Sequence, residues 1–228
     1  MIPSTAAVKS GLIKNHLSDQ LRVEILNGSL KPGERIVEGK WAAKFGVAQA
    51  SIREAINMLA QEGFVTKAPG RSARVIHLSE ADVASIYQLR GAIEGLAARL
   101  AAQSRRDLNV LQAMLDSMRE SARTGDREHL IDCDLLYHLA LCEISHNPYL
   151  IEHARRILVP LFAFVRMRVS ASGQSTSAWE KDLEAHQKII DLIREGESDV
   201  AEQYVKRAME RFAKTAYGYW EKREENAG

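Results

Sequence analysis

The sequence predicts a mainly α-helical chain in two parts, a winged helix-turn-helix followed by an all-helical bundle. Three observations predict this fold class. Two short helical segments meet at Gly46, two short strands with turn residues between them come next, and every long segment after residue 79 has helical periodicity. With 228 residues and 46% hydrophobic content, the chain can bury the cores of two such domains.

The second of the two short helices has one apolar and one polar face. Its apolar residues recur at three- and four-residue spacing: Ile52, Ala55, Ile56 and Leu59. Gln49, Ser51 and Arg53 lie off this stripe, near the start of the helix. A recognition helix in a DNA major groove uses its N-terminal residues in this way. We therefore expect these three polar residues to contact DNA.

A two-stranded wing is predicted after this helix. Residues 64–66 and 74–76 have strand patterns, and Gly63 ends the preceding helix. The hairpin carries Lys67, Arg71 and Arg74, which are candidates for contact with DNA phosphates or the minor groove. An ordinary solvated hairpin is the alternative.

The domain boundaries follow from these patterns. Residues 1–10 mix Pro, Ser, Thr and Ala, and we expect them to be disordered. A winged helix-turn-helix is predicted over 11–78, and it begins with a helix over 12–26 whose apolar residues repeat every four positions. The helical domain is predicted over 79–228, because Ser79 is a good N-cap and acidic residues follow it.

Charge is divided unevenly between the two parts. Residues 1–78 hold 11 Lys and Arg against 6 Asp and Glu, whereas the remainder holds 20 against 24. A basic N-terminal module fits a partner with dense phosphate charge, but its charge is mild for a protein that coats DNA nonspecifically. No apolar run approaches the ~20 residues of a membrane-spanning helix and no signal-peptide core is evident, so we expect a cytoplasmic protein.

Six helices are predicted in the second part, near 80–103, 107–123, 127–145, 148–171, 177–195 and 198–221. They are separated by Gly125, Asn147-Pro148, the stretch 170–177 and Gly196. Such bundles commonly build ligand and metal sites from side chains that face their interior. Cys133 and Cys142 have neither redox nor zinc-site spacing and are expected in the core.

An aspartate and a histidine in the third of these helices are candidates for a metal site. Asp134 and His138 are four residues apart and therefore lie on the same helix face. With His186 from a later helix they offer one oxygen and two nitrogens to a divalent metal. A hydrogen-bonded or solvated pair is the alternative. The remaining histidines, which are expected at the surface or in loops, are His16, His77, His129, His146 and His153.

The N-terminal part resembles the winged helix-turn-helix of GntR-family bacterial transcription regulators. The resemblance covers roughly residues 10–77 and rests on the order PGERIVEGKWAAKFGVAQASIREAINMLAQEGFV followed by APGRSARV. It implies that Arg53 contacts the DNA backbone or a guanine. It also implies that Gly70 lets the wing approach the groove closely.

The chain departs from the family pattern at the start of the recognition helix. Family members commonly have Ser or Thr, then Arg, where this chain has Ala48 and Gln49, and many have Pro where it has Ser51. Arginine is a bidentate reader of guanine, whereas glutamine suits adenine. We therefore expect an operator that differs from the family's usual sequence.

The remainder resembles the all-helical FCD effector domain of the FadR-like branch of this family. The matching blocks are RGAIEGLAA from Arg90, Asp134-x-x-x-His138, Asn147-Pro148-x-Leu150 and EAHQxI from Glu184. In such domains an Asp, the His one turn later and two further His commonly hold a metal beside a bound carboxylate effector. The resemblance thus implies a divalent ion, zinc, nickel or manganese, on Asp134, His138 and His186.

The fourth ligand is expected on the last helix, where Met209 most nearly takes its place. A thioether is a poor ligand for hard divalent ions. The site therefore either has three protein ligands, with water or effector filling the gap, or has lost its metal.

A carboxylate effector needs a cation or a metal, and an arginine binds it with two parallel hydrogen bonds. Arg90, Arg166 and Arg168 are candidates, and Asn147 is a further candidate for effector contact. A salt bridge or a solvated head group is the alternative for each arginine. Glu94, four residues after Arg90, is a partner of that kind.

The sequence as a whole predicts a ligand-responsive transcription regulator rather than an enzyme. We expect a homodimeric repressor that binds a double-stranded DNA operator and is released by a small organic or sugar acid, because two modules related by a two-fold axis reach both halves of a palindromic operator. The alternative is a metal-dependent enzyme that uses Asp134, His138 and His186 and carries an accessory DNA-binding module. No convincing general base or nucleophile constellation accompanies these three residues.

Overall fold

The computed structural model describes residues 5–68, 72–104, 106–172 and 180–221. These residues are mainly α-helical and include a two-stranded antiparallel sheet, which confirms the predicted fold class. The chain divides into two compact units. One comprises Met1–His77 with Arg166–Ala171, and the other Leu78–Val165 with Ser172–Gly228.

Three helices and a hairpin form the first unit. Their bounds are α1 Thr5–Leu26, α2 Glu38–Phe45, α3 Gln49–Gln61, β1 Val65–Thr66 and β2 Arg74–Val75. Gly46 ends α2 with a left-handed φ of 67°, which turns the chain into α3. Val65 pairs with Val75 across the hairpin. This is the predicted winged helix-turn-helix.

Helix α1 is longer than predicted. It begins at Thr5, so residues 5–10 are helical rather than disordered as expected. Ala6 and Ala7 explain the extension, because alanine has the highest helix propensity of all residues.

The core of the first unit lies between α1 and α3. The predicted apolar stripe of α3 is fully buried, and it meets buried residues of α1: Leu17, Leu21 and Ile25. An ion pair also joins the two helices, since Arg22 donates hydrogen bonds of 2.7 to 3.0 Å to the carboxylate of Glu62. The polar face of α3 is consequently left on the outside of the unit.

Among the described residues, the helices that lie wholly or mainly in the second unit are Glu80–Gln103 (α4), Asn109–Thr124 (α5), Arg127–Glu143 (α6), Pro148–Ser172 (α7), Glu180–Glu195 (α8) and Ser198–Glu221 (α9). Each lies within a few residues of its predicted bounds. Ser79 caps α4 as predicted, and its side chain and that of Asp82 bond reciprocally to each other's backbone N–H groups. Part of the predicted break over 170–177 lies outside the described residues.

Helix α4 is the central helix of the second unit and packs closely on α9. A Cβ atom at Gly95 would lie 3.2 Å from the carbonyl oxygen of Glu202, so the two backbones approach because Gly95 has no side chain. At Gly91 a Cβ would lie 3.6 Å from the Cβ of Met209. Small residues of α4 thus fix the position of α9 and bury Met209.

Several minor expectations are confirmed. Cys133 and Cys142 are free and buried. The five histidines predicted to be peripheral have exposed side chains. Among the described helices, none combines the length and apolar character that a membrane span requires.

Candidate functional site

Asp134, His138 and His186 lie together inside the second unit. Helix α6 supplies the first two and α8 the third. The Oδ1 atom of Asp134 is 3.2 Å from Nε2 of His138 and 3.1 Å from Nε2 of His186, and the two Nε2 atoms are 3.3 Å apart. One oxygen and two nitrogens therefore form a nearly equilateral triangle.

The size of this triangle suits a divalent metal ion. An ion with nitrogen and oxygen ligands at about 2.1 Å keeps neighbouring ligands about 3.0 Å apart in octahedral and about 3.4 Å apart in tetrahedral coordination. All three observed separations fall between these values. Among the described residues, these three form the group of histidine, cysteine and carboxylate side chains whose ligand atoms converge closely enough for an ion.

In both imidazoles, the contact made by Nδ1 explains why Nε2 can act as a metal ligand. Nδ1 of His138 is 2.6 Å from a carboxylate oxygen of Glu94, and Nδ1 of His186 is 2.5 Å from the carbonyl oxygen of Asp182. Both oxygens are acceptors and lie close to Nδ1, so we place a hydrogen on each Nδ1, although the contact of His138 with Glu94 lacks hydrogen-bond geometry. In the neutral rings both Nε2 atoms then present lone pairs.

When both rings are neutral, the converging atoms repel one another unless a cation or a proton lies between them. Two nitrogen lone pairs and a carboxylate oxygen face the same point. Oδ1 of Asp134 is buried and has no hydrogen bond of acceptable geometry, although two ring nitrogens lie within 3.2 Å of it. A divalent ion satisfies all three atoms at once, so the donor set fits the metal that the resemblance implies.

Glu94 fixes the orientation of His138 and is itself fixed by Arg90. The guanidinium Nε of Arg90 donates to Oε1 of Glu94 at 2.7 Å, and Arg90 lies over the rings of Tyr87 and Phe162. Burial alone would raise the pKa of Glu94, but the charges of Arg90 and His138 outweigh it and lower the pKa to about 2. The carboxylate is therefore charged although it is only 1% exposed.

The pKa values of Asp134 and His138 are shifted by neighbouring groups of the cluster. Burial opposes ionisation of Asp134, but the two imidazoles beside its carboxylate outweigh burial and hold its pKa well below the usual range. Burial lowers the pKa of His138, but the charge of Glu94 outweighs burial and raises it. Tyr137 adds support, because its hydroxyl donates to the backbone carbonyl of His186 at 2.9 Å.

The predicted effector residues have different surroundings. Arg90 is 3% exposed and paired with Glu94, as the spacing of these two residues indicates. The side-chain oxygen of Asn147 accepts from the N–H groups of Tyr149 and Leu150, each at 3.2 Å, and so caps α7. Arg166 and Arg168 are half-buried on the stretch of α7 that groups with the first unit.

The predicted DNA-reading residues lie at the start of α3. Gln49 and Arg53 are exposed one turn apart, and Ser51 is half-buried between them. Arg53 is paired with a carboxylate, because Glu38 of α2 accepts hydrogen bonds of 2.8 to 3.2 Å from its guanidinium. These bonds lower the pKa of Glu38. The predicted reader thus has a partner that the sequence analysis did not identify.

Two cationic residues of the wing are described. Lys67 is exposed, and its amine donates to the side-chain oxygen of Asn57 at 2.6 Å. Arg74 is exposed and donates to the backbone carbonyl of Gly33 at 2.9 Å, which ties β2 to the loop before α2. Gly70 and Arg71, predicted at the tip of the wing, lie outside the described residues.

Sequence reasoning predicted Glu94 as a partner of Arg90 but missed its contact with His138, and it missed the contacts of Tyr137 and Asp182 with His186. A signal for Glu94 was present. It lies between Gly91, Gly95 and several alanines, and a helix face made of small residues is usually buried against another helix. A charged pair on such a face is therefore a buried pair. The carbonyl of Asp182 gave no signal, since any residue can supply a backbone oxygen.

Comparison with known families matches both parts of the chain. The FCD domain matches residues 85–211, and the family described as bacterial regulatory proteins, gntR family, matches residues 13–75. The first match covers more than half of the chain and includes all three candidate metal ligands. The second covers α2, α3 and the described strands of the wing.

Individual relatives agree with these matches. An uncharacterized HTH-type transcriptional regulator of Bacillus subtilis, YdhC, is 29% identical over 82% of this chain and 83% of that protein. The gluconate operon transcriptional repressor of Bacillus licheniformis is 25% identical over 79% of this chain and 75% of that protein. The crystal structure of a GntR regulator from Rhodococcus sp. RHA1 has a TM-score of 0.68 at 21% identity, covering 90% of this chain and 97% of that one, and so shares the fold.

Proposed function

We propose that this chain, which belongs to the gntR family of bacterial regulatory proteins and carries an FCD domain, is a homodimeric repressor that a small carboxylic acid releases from its DNA operator. The observation that carries the proposal is the convergence of Asp134, His138 and His186 inside the helical unit of a chain that also has a winged helix-turn-helix. A DNA reader and a buried chemical site in one chain make a ligand-responsive regulator.

Asp134, His138 and His186 would hold a divalent ion, zinc, nickel or manganese. When bound, the ion supplies positive charge that attracts a carboxylate oxygen. Three protein ligands leave at least one coordination position for that oxygen. Met209, predicted nearest to the position of a fourth ligand, has a thioether that competes poorly for a hard ion. The ion and the acid would therefore bind as one unit.

The chemistry of the site favours a small organic or sugar acid. The site is buried in a helical bundle, so it admits a compact molecule, and the gluconate operon repressor among the relatives acts on an operon named for a sugar acid. Asn147 and Arg166 remain predicted effector contacts. For Arg90 the same role requires that an acid displace Glu94, because the two residues are paired.

Acid binding would alter operator affinity through a coupling free energy between the two sites. A coupling of ~1 to 3 kcal/mol changes the affinity roughly 5- to 150-fold. Random-duplex selection with purified protein, followed by titration of organic and sugar acids into the selected complex, tests this function. We expect one enriched sequence and at least one acid that shifts its Kd. Protein that enriches no sequence, with or without acids, overturns the proposal.

The homodimer is supported by an unusual helix face on α4. Between Ser85 and Leu96 the charged residues of α4, Arg90 and Glu94, are buried, whereas Leu89 and Leu96 are 46% and 40% exposed. The other exposed residues of this stretch are uncharged, namely Ser85, Gln88 and Ala92. We name the exposed side of α4 from Ser85 to Leu96 the α4 face.

A second copy of the chain is the partner that the α4 face fits. A two-fold interface brings the same surface of both protomers together, so the surface must be complementary to itself. A charged face repels its copy, but an uncharged aliphatic face does not. Because leucines flank the small Ala92, two copies of α4 can approach closely and bury leucine against leucine.

Light scattering of the double variant Leu89→Glu/Leu96→Glu tests this interface. We expect a dimer for the wild type and a monomer for the variant, since two α4 faces would carry four carboxylates. Val110→Glu is the control, because Val110 is 55% exposed on α5 and lies outside the α4 face. A dimeric double variant refutes the interface alone, whereas a monomeric wild type refutes the homodimer.

A further inference from the structure

Gly39 lies in α2 where neither helix stability nor backbone conformation calls for glycine. Glycine weakens a helix relative to alanine. Gly39 is also not among the glycines with positive φ, so an alanine can adopt its backbone conformation. Space is what glycine provides here, because a Cβ atom at this position would lie 3.3 Å from Nε2 of Gln49. The side-chain amide of Gln49 thus lies against the bare backbone of α2.

The neighbouring residue of α2 holds the other reader of α3. Glu38 accepts from both Nε and a terminal nitrogen of Arg53, with its Oε2 atom 3.1 and 2.8 Å away. Gln49 and Arg53 are four residues apart, so they lie one above the other on the same face of α3. Consecutive residues of α2 therefore contact two consecutive readers along α3.

We propose that α2 sets the DNA specificity of α3, with Gly39 positioning the amide of Gln49 and Glu38 positioning the guanidinium of Arg53 before DNA binds. This inference rests on the proposed function as an operator-binding regulator. A long side chain that is ordered in the free protein loses less freedom on binding, and this improves affinity roughly 2- to 10-fold for each side chain.

The two head groups recognise different chemistry. A glutamine amide bonds in bidentate fashion to N6 and N7 of adenine, and a guanidinium to O6 and N7 of guanine or to a phosphate. One helical turn is about 5.4 Å, and successive base pairs are about 3.4 Å apart. Gln49 therefore reads an adenine one or two base pairs from the contact of Arg53.

Glu38 also acts against nonspecific binding. Its carboxylate neutralises Arg53 in the free protein, so the guanidinium contributes less to the general attraction of phosphates. A groove must offer Arg53 a better partner than Glu38 before the pair opens. The operator offers Arg53 such a partner, whereas a random duplex offers it only the charge of the phosphates.

The experiment for Gly39 is a double-mutant cycle in the full-length protein. Wild type, Gly39→Ala, Gln49→Ala and the double variant are each selected against a random duplex pool and then measured on the wild-type operator and on the operator with its adenine replaced. Gly39→Ala should fold at least as well as the wild type, since alanine favours the helix. Any change in its DNA binding then reflects a change at the predicted DNA-reading residues rather than a loss of folding.

Gly39→Ala should reduce discrimination at the adenine position ~3- to 10-fold, because a methyl group 3.3 Å from Nε2 shifts the Gln49 amide away from the position it takes in the wild type. Gln49→Ala should abolish the same preference, and adding Gly39→Ala to it should change nothing further. Wild-type discrimination in Gly39→Ala, or additive effects in the double variant, overturns the inference for Gly39. If the wild type itself enriches no sequence, the proposed function falls, and this inference with it.

Glu38→Gln tests the second half, with Glu54→Gln as the matched control. Both variants remove one negative charge beside the readers, but only Glu38 contacts Arg53. Each should strengthen binding to random duplex ~2- to 5-fold through charge alone. Only Glu38→Gln should also reduce the ratio of operator to random affinity. Equal ratios for the two variants overturn the positioning role of Glu38.

Discussion

The chain contains two arginine–glutamate pairs whose surroundings differ completely. Arg90 and Glu94 are 3% and 1% exposed on α4. The side chains of Arg53 and Glu38, which join α3 to α2, are 56% and 29% exposed. The shortest nitrogen–oxygen separation is 2.7 Å in the buried pair and 2.8 Å in the exposed pair. The same chemistry therefore occurs beside the candidate metal ligands in one unit and on the exposed surface of the winged helix-turn-helix in the other.

Burial decides what each pair can do. Neither member of the buried pair can leave without stranding its partner's charge, so this pair holds Glu94 rigidly against His138. The exposed pair is solvated, and either member can exchange its partner for water or for another charge. A permanent contact suits the support of a metal site, whereas an exchangeable one suits a surface that must release Glu38 and accept DNA.

The largest effect that we predict is on stability. Arg90→Leu should lower the free energy of unfolding by ~3 to 5 kcal/mol, because it leaves the carboxylate of Glu94 buried without its main partner. Chemical denaturation followed by circular dichroism measures this difference. Arg53→Leu is the matched control, and its unfolding midpoint should equal that of the wild type.

A double variant that removes both charges of the buried pair tests the cause of this stability loss. The double variant Arg90→Leu/Glu94→Leu removes both charges and should regain much of the stability that Arg90→Leu loses. A double variant less stable than Arg90→Leu alone would mean that the pair is not the cause. Equal losses for Arg90→Leu and Arg53→Leu would contradict the contrast between the two pairs.

The next effect concerns the metal. Glu94→Gln should weaken binding of zinc or nickel about 10- to 100-fold, because outer contacts of this kind orient the ligand histidine and raise its basicity. Competition against a chromophoric chelator measures the affinity. Glu128→Gln, an exposed change on the helix that carries Asp134 and His138, should bind metal like the wild type. Wild-type affinity in Glu94→Gln would show that Glu94 does not orient His138.

The effect on DNA is of comparable size and concerns affinity for the operator. Arg53→Ala should raise the operator Kd ~5- to 150-fold, with unchanged folding and metal content. Fluorescence anisotropy with a labelled operator measures the change. If affinity for the operator stays the same, Arg53 is not a reader, and its pair with Glu38 is an ordinary surface ion pair.

The fold was predictable from the sequence because its signals are local. Apolar residues at three- and four-residue spacing mark the helices, and glycines such as Gly125 and Gly196 take the left-handed conformation that ends them. The N-cap Ser79 is likewise a short-range signal. For this reason the predicted bounds of α4 to α9 agree closely with the structure.

The candidate site was only partly predictable. Asp134 and His138 are four residues apart, and helical geometry alone places them on one face. By contrast, the contact of Glu94 with His138 joins α4 to α6, and that of Glu38 with Arg53 joins α2 to α3. Such contacts depend on how helices pack, and a periodic pattern in one segment carries no information about them.

The smallest predicted effect separates phosphate contact from base reading within the DNA-binding unit. Lys67 is an exposed cation of the wing, and its amine is held by Asn57 rather than by a carboxylate. A solvated ammonium group attracts phosphates without regard to sequence. Lys67→Ala should therefore weaken binding to operator and to random duplex equally, and it should reduce the slope of log K against log salt by about 1.

Arg123→Ala is the control for this prediction, because it removes the same charge from the exposed surface of α5 and should leave the slope unchanged. Loss of discrimination in Lys67→Ala would assign base reading to the wing as well as to α3.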